Sequence, residues 1–238
     1  MQDHFKRREI LSATTLLALL PTGAFAKKVP LGTADAPQAL ADKPYERISP
    51  MVSTDSNRVR LLFTYDCPYC RSYHNGLVQW GATLPAPLRF EATPVITSNT
   101  DNLIMAVYGR LLMQGVAPTK THLYDYSMYT QIQGDSDSGQ VAKGQLSADD
   151  VLRTVSNAAG VQRSVLREYL TKHGGVIEKR LPEHAALIQT YGLKVTPAVA
   201  IAGKILVNPD HAGGNPQQFL LLLNAMVSRS IQGGLDAI

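Results

Sequence analysis

The chain has 238 residues, 45% hydrophobic and 18% charged, enough apolar side chains for a buried core and unlike a disordered chain or a coiled coil. Lys and Arg outnumber Asp and Glu by 23 to 19; the +4 that results is dispersed, with no basic run interleaved with aromatics, which excludes a nucleic-acid binder. Two cysteines exclude a disulfide-stapled scaffold and a four-cysteine zinc site.

Residues 1–26 read as an export signal. Lys6, Arg7 and Arg8 form a basic start, Ile10 to Leu20 is mostly apolar, and Ala24-Phe25-Ala26 supplies the small-x-small pattern for cleavage after Ala26. The apolar stretch is about 11 residues, short of the roughly 18–20 that span a bilayer. Arg7-Arg8-Glu9-Ile10-Leu11 also has the look of a twin-arginine signal, which leaves two export routes open. The expected destination is an oxidising compartment, a bacterial periplasm, where a pair of cysteines can cycle between dithiol and disulfide.

Residues 27–48 contain Pro30, Pro37 and Pro44 and read as an extended segment, with an edge strand near Tyr45 to Ile48. Val59 to Tyr65 (VRLLFTY) is a β-rich apolar run suited to a strand buried on both faces. It runs into Asp66-Cys67-Pro68-Tyr69-Cys70, after which Cys70, Tyr73, Leu77, Trp80 and Leu84 recur at the spacing of one helix face. Leu88, Phe90 and Ala92 alternate as a second strand ending at Pro94. The cysteines therefore sit at the strand-to-helix turn of a β-α-β unit.

From Asn102 to about His173 the pattern is helical, with Leu103, Val107 and Leu111 as one stripe and Ser147 with Asp150 as a capping-box start. Tyr124, Tyr126, Met128 and Tyr129 are expected in the core of this block, and Gly134 to Gly144 as a mobile polar loop. A separate helix is expected from about Glu183 to Tyr191, closed by Gly192. Val195 to Ile201 reads as a loop and strand, turned at Ala202-Gly203 into Lys204 to Val207. Asn215 then caps a last helix with Pro216 in first position.

The cysteine pair points to redox chemistry. A bridge closing a loop of about four residues stabilises by only roughly 2 kcal/mol, so it is a poor staple. As an exchanging pair it has a mechanism. Pro68 suits the first helical position, which makes Cys67 the N-cap, its sulfur facing the free N–H groups of Tyr69 and Cys70. Those donors and the helix dipole favour its thiolate. Cys70, one turn on and in the buried stripe, is placed to resolve a mixed disulfide. Asp66, beside the nucleophile, is expected to oppose thiolate formation.

Phe63 to Cys70, with Val195-Thr196-Pro197 downstream, resembles the thioredoxin-fold disulfide oxidoreductases of the bacterial periplasm over about residues 45 to 231. The inserted helices look like DsbA, whereas Cys-Pro-Tyr-Cys and the Thr before Pro197 look more like DsbG and DsbC. The resemblance implies an α/β chain with the thioredoxin fold and an inserted helical domain. Its expected divisions are a cleaved signal (1–26), an extended segment (27–48), a first thioredoxin half (49–98), the insert (99–180) and a second half (181–238).

The resemblance further implies Cys67 and Cys70 as catalytic, Asp66, Pro68 and Tyr69 as tuning residues, and Thr196 with a cis Pro197 against Cys67 as the substrate-binding loop. No cofactor or metal is implied. The expected partners are cysteine-containing secreted proteins and a membrane redox partner of the DsbB or DsbD type. The N-terminal segment is too short for the dimerisation domain of DsbG and DsbC, so a monomer is expected. In those families the first cysteine of thioredoxin and DsbA is preceded, six positions back, by a buried acid; here that position is Leu61. Oxidation of client thiols is the leading activity, with isomerisation or reduction as the alternative. A third possibility is a non-catalytic binder of a soft metal through Cys67, Cys70 and His74.

Overall fold

A computed structural model describes residues 43–98 and 100–232; the expected export signal (1–26) and residues 27–42 of the expected extended segment lie outside the described residues. In chain order the elements are β1 (Glu46–Arg47), β2 (Arg58–Phe63), α1 (Pro68–Gly81), β3 (Arg89–Pro94), α2 (Asp101–Val116), α3 (Thr121–Gln133), α4 (Ala148–Ala159), α5 (Arg163–Tyr191), β4 (Ala198–Ile201), β5 (Ile205–Val207) and α6 (Pro216–Gln232). The five strands form one sheet in the order β1-β5-β4-β2-β3. β2 pairs with β3 in parallel and with β4 antiparallel, so the central strand joins segments from both ends of the chain.

The period of a strand explains how β2 serves two cores. Val59, Leu61 and Phe63 enter the larger apolar cluster with Val199 and Ile201 of β4. Leu62 enters the smaller one on the opposite face, with Ala198, Ala200, Leu206 and Tyr191. Arg60 points to that second face as well, and it is buried. Its guanidinium grips Asp55 through Nε (2.9 Å) and Nη2 (3.1 Å), and Nη1 reaches Glu91 at 3.0 Å. Tyr191 donates its hydroxyl to Asp55 from the end of α5. An ionic cluster thus lies within a strand whose letters read as simply apolar.

Local chemistry sets the turns. Ala202 and Gly203 both have positive φ (53° and 64°) in the three-residue turn between Ile201 and Ile205, where the Lys204 N–H donates to the Ile201 carbonyl at 3.0 Å. Glycine is required at 203, because a Cβ there would lie 2.1 Å from the Val52 carbonyl oxygen. The Ser147–Asp150 capping box forms in full, and the Asn215 side chain accepts from the N–H groups of Gln217 and Gln218, both at 3.0 Å.

Three local expectations are corrected. Instead of a separate helix near residue 183, α5 is one rod of 29 residues. Pro182 lies inside the rod, and Ile177, His184 and Tyr191 are buried along it; that burial offsets the hydrogen bond lost at the proline. α1 stops at Gly81, so Leu84 packs on the core from the following loop. Tyr126 is 53% exposed, while Tyr124, Met128 and Tyr129 are buried. The loop after α3 is tied to α1: Arg71 donates to the Gly134 carbonyl and pairs with Asp135 at 3.2 Å. Among the described residues, no helix is long and apolar enough to cross a membrane.

Candidate active site

β2 delivers the chain to the top of the sheet, and a short turn converts it into α1. Cys67 occupies the N-cap with extended φ and ψ (−87°, 116°), and Pro68 follows in the first turn. The N–H of Cys70 donates to Cys67 Sγ at 3.3 Å. The Thr196–Pro197 bond is cis, and the Cys67 thiol donates to the Thr196 carbonyl oxygen at 3.2 Å. The two segments joined by this contact are far apart along the chain, 129 positions from Cys67 to Thr196. That bond belongs to the thiol; on ionising, the sulfur gives it up and keeps its donors.

Both cysteines are free, Cys67 partly exposed and Cys70 buried. The Cys67 pKa is lowered from 9.0 to about 6. The Cys70 side chain donating to the sulfur is the largest cause; burial opposes it, and the backbone N–H groups of Cys70 and Tyr69 add to the lowering. Burial pushes the Cys70 thiol far up, and the neighbouring Cys67 sulfur pushes the same way. One sulfur is poised to react and the other is held in reserve.

Asp66 stands exposed at the turn just before Cys67. Its carboxylate accepts the Thr64 hydroxyl at 2.7 Å and is exposed, which spreads its charge into solvent. Tyr69 is 70% exposed at the mouth of a cavity of about 440 Å³. Tyr73, Val195, Thr196, Pro197, Pro209, Asp210 and Gly214 complete its lining. Tyr73 is held there by its hydroxyl, which donates to the Gly214 carbonyl at 2.6 Å, and by an edge-on contact with Phe219.

Beneath the cysteines lies a polar cluster that the sequence reading missed. Asp125 of α3 is 1% exposed; it accepts from Arg110 Nε at 2.8 Å and from the Tyr65 hydroxyl at 2.6 Å. Burial is the largest influence and works against its ionisation, but the Arg110 guanidinium, His74 and the Tyr65 hydroxyl together outweigh it and hold the carboxyl below its ordinary range. His74 follows Cys70 by one helical turn and is buried rather than solvated. Its Nε2 faces Asp125 Oδ2 at 3.4 Å, and its Nδ1 meets the Tyr129 hydroxyl at 3.3 Å. Its ring nitrogens are thus turned to the insert instead of forming a metal site with the sulfurs. Among the described residues, no three His, Cys, Asp or Glu side chains gather as a metal site.

Gln133, at the end of α3, was also missed. Its amide donates to the carbonyls of Tyr65 (2.7 Å) and Cys67 (3.0 Å), pinning the turn that carries Cys67. A signal was present for the buried ions: Arg110 and Asp125 fall on helix faces that otherwise carry apolar residues, where an ionisable side chain needs a partner.

No protein-family model matches the chain, and no curated protein matches it. Solved structures do. Salmonella enterica serovar Typhimurium SrgA aligns with a TM-score of 0.62 at 23% identity, over 79% of this chain and 99% of that one. The oxidoreductase DsbA from Xylella fastidiosa aligns at 0.58 and 22%, over 78% and 94%. Proteus mirabilis DsbA, determined with a non-covalently bound peptide PWATCDS, aligns at 0.60 and 16%, over 79% and 95%. The fold of this chain is that of DsbA, a thioredoxin sheet interrupted by a helical insertion.

Proposed function

We propose that the protein is a periplasmic thiol:disulfide oxidoreductase that introduces disulfides into secreted client proteins. The observation that carries this reading is the pairing of Cys67, accepting N–H donors at a helix N-terminus, with a buried Cys70 one turn away. In the oxidised enzyme a client thiolate attacks Cys67 Sγ; the Cys67–Cys70 bond breaks, and Cys70 leaves and takes up a proton. A second client thiolate then attacks the client sulfur of the mixed disulfide, forming the client disulfide and releasing Cys67 as a thiolate. The client loses two electrons and the enzyme gains them.

The donors around Cys67 support the oxidising direction, because a sulfur stable as a thiolate is a good leaving group and its stability favours the reduced enzyme. The Thr196–Pro197 loop beside it supports an extended client segment. The peptide bound by Proteus mirabilis DsbA contains one cysteine, which agrees with such a client. A membrane partner of the DsbB or DsbD type would restore the disulfide, and the enzyme would work as a monomer. Asp66, Pro68 and Tyr69 would tune the reactive pair.

The deciding experiment is equilibration of the purified protein with glutathione. The expected reduction potential lies well above the about −270 mV of thioredoxin. A value at or below that figure overturns the oxidase reading and favours reduction or isomerisation. Cys70→Ala is expected to accumulate mixed disulfides with clients, and Cys67→Ala to form none.

A further inference from the structure

The cavity next to Cys67 has an uneven chemistry. Its walls are aromatic and apolar, with Tyr69 and Val195 exposed and the Tyr73 ring held by Gly214 and Phe219. Of the described residues that line it, one carries a charge: Asp210, exposed on the short turn Pro209–Ala212. That turn is fixed, because Asn208 accepts from the N–H of Asp210 at 3.0 Å. Asp66, also exposed, immediately precedes the nucleophile. The reactive face thus presents carboxylates, although the chain as a whole carries +4.

We propose that this cavity selects clients in which the reacting cysteine has an arginine or lysine as its close neighbour. The proposal rests on the oxidoreductase reading and names its substrate class. Two tyrosines with a carboxylate at the rim match a cationic side chain: the ring faces attract it through their quadrupoles, and Asp210 supplies the counter-charge. Arginine fits better than lysine, since its planar guanidinium both stacks on a ring and forks onto a carboxylate. The cavity shares Thr196 and Pro197 with the sulfur site, so a residue seated in it belongs to the segment whose cysteine meets Cys67. A neighbouring cation also helps the chemistry, because the attacking client thiolate approaches a face that already holds Asp66 and Asp210. A client with an acidic neighbour meets repulsion at the same step.

The test uses the oxidised full-length protein and three short peptides with one cysteine each, identical except for Arg, Leu or Glu beside it. Rates of mixed-disulfide formation are divided by each peptide's rate with glutathione disulfide, which removes differences in the peptide thiols. The Arg peptide should exceed the Leu peptide by about fivefold to tenfold, the size of one cation–π contact with one surface ion pair. The Glu peptide should fall below Leu. Asp210→Asn should bring the Arg-to-Leu ratio towards one, and so should high salt on the unmutated protein.

Leu equal to or faster than Arg, or an Arg preference untouched by both Asp210→Asn and salt, overturns the proposal. Serine versions of the three peptides, titrated by calorimetry, read the cavity without the redox step. Tighter binding of the Arg version supports the proposal even if no cysteine peptide is oxidised, a result that would instead defeat the oxidoreductase reading. Equal binding of all three serine versions counts against the cavity.

Discussion

Cys70 is the largest cause of the low Cys67 pKa, which makes a sharp prediction about two substitutions of the same residue. Cys70→Ser keeps a hydroxyl that can donate to the thiolate; Cys70→Ala keeps only the backbone donors. A hydrogen bond to a charged group contributes about 1.5–3 kcal/mol, and about 1.4 kcal/mol corresponds to one pH unit. The Cys67 pKa should therefore stay near 6 in the serine variant and rise by about 1–2 units in the alanine variant. The assay is the rate of alkylation by iodoacetamide as a function of pH. Equal midpoints in the two variants would refute the role of the side-chain donor, and a midpoint near 9.0 in the unmutated protein would refute the site as a whole.

The same lowering has a consequence for stability. Cys67 ionises more readily folded than unfolded, so its contribution is present in full above pH 9.0 and is lost as pH falls through about 6. The three-unit difference sets a ceiling of about 4 kcal/mol, and solvent on the open side of the sulfur reduces it to about 2. Denaturant titrations of the reduced and oxidised proteins should diverge in this way between pH 5 and pH 9, and Cys67→Ala should abolish the dependence.

Asp125→Ala leaves Arg110 buried without its carboxylate and should cost about 3–5 kcal/mol in denaturant unfolding; a loss below about 1 kcal/mol would show the pair to be dispensable. Gln133→Ala frees the carbonyls of Tyr65 and Cys67 and should lower stability by about 1–2 kcal/mol. The accompanying change should be faster hydrogen exchange in the Thr64–Cys67 turn, and unaltered exchange there would remove Gln133 from the account.

The readable parts of the fold are those whose cause is local. Pro68 after Cys67, Asp150 three after Ser147, and Ala202-Gly203 between two apolar runs each determine a backbone geometry within a few residues. The N-cap position of Cys67 was legible for the same reason, since a cap is defined by its neighbours. The support beneath it was not. Tyr65 and Asp125 are 60 positions apart, and Gln133 reaches back 66 to Cys67, distances over which spacing carries no signal. α5 misled for the opposite reason: its proline speaks locally for a break, and tertiary burial overrides it. Arg60 hid inside an apolar word because its partners, Asp55 and Glu91, complete the ionic cluster only once the strands are paired.

The sulfur and the carbonyl that faces it are 129 positions apart in the chain. A polypeptide emerging from its amino end presents Cys67 well before it has made the segment that roofs it. Until β4 slots in beside β2, the thiol lacks that lid, and the cavity that would sort its clients has only one wall. Assembly of the chain from Thr196 onward is thus the step that completes the walls around a helix-end cysteine, and it depends on strand closure over a long range.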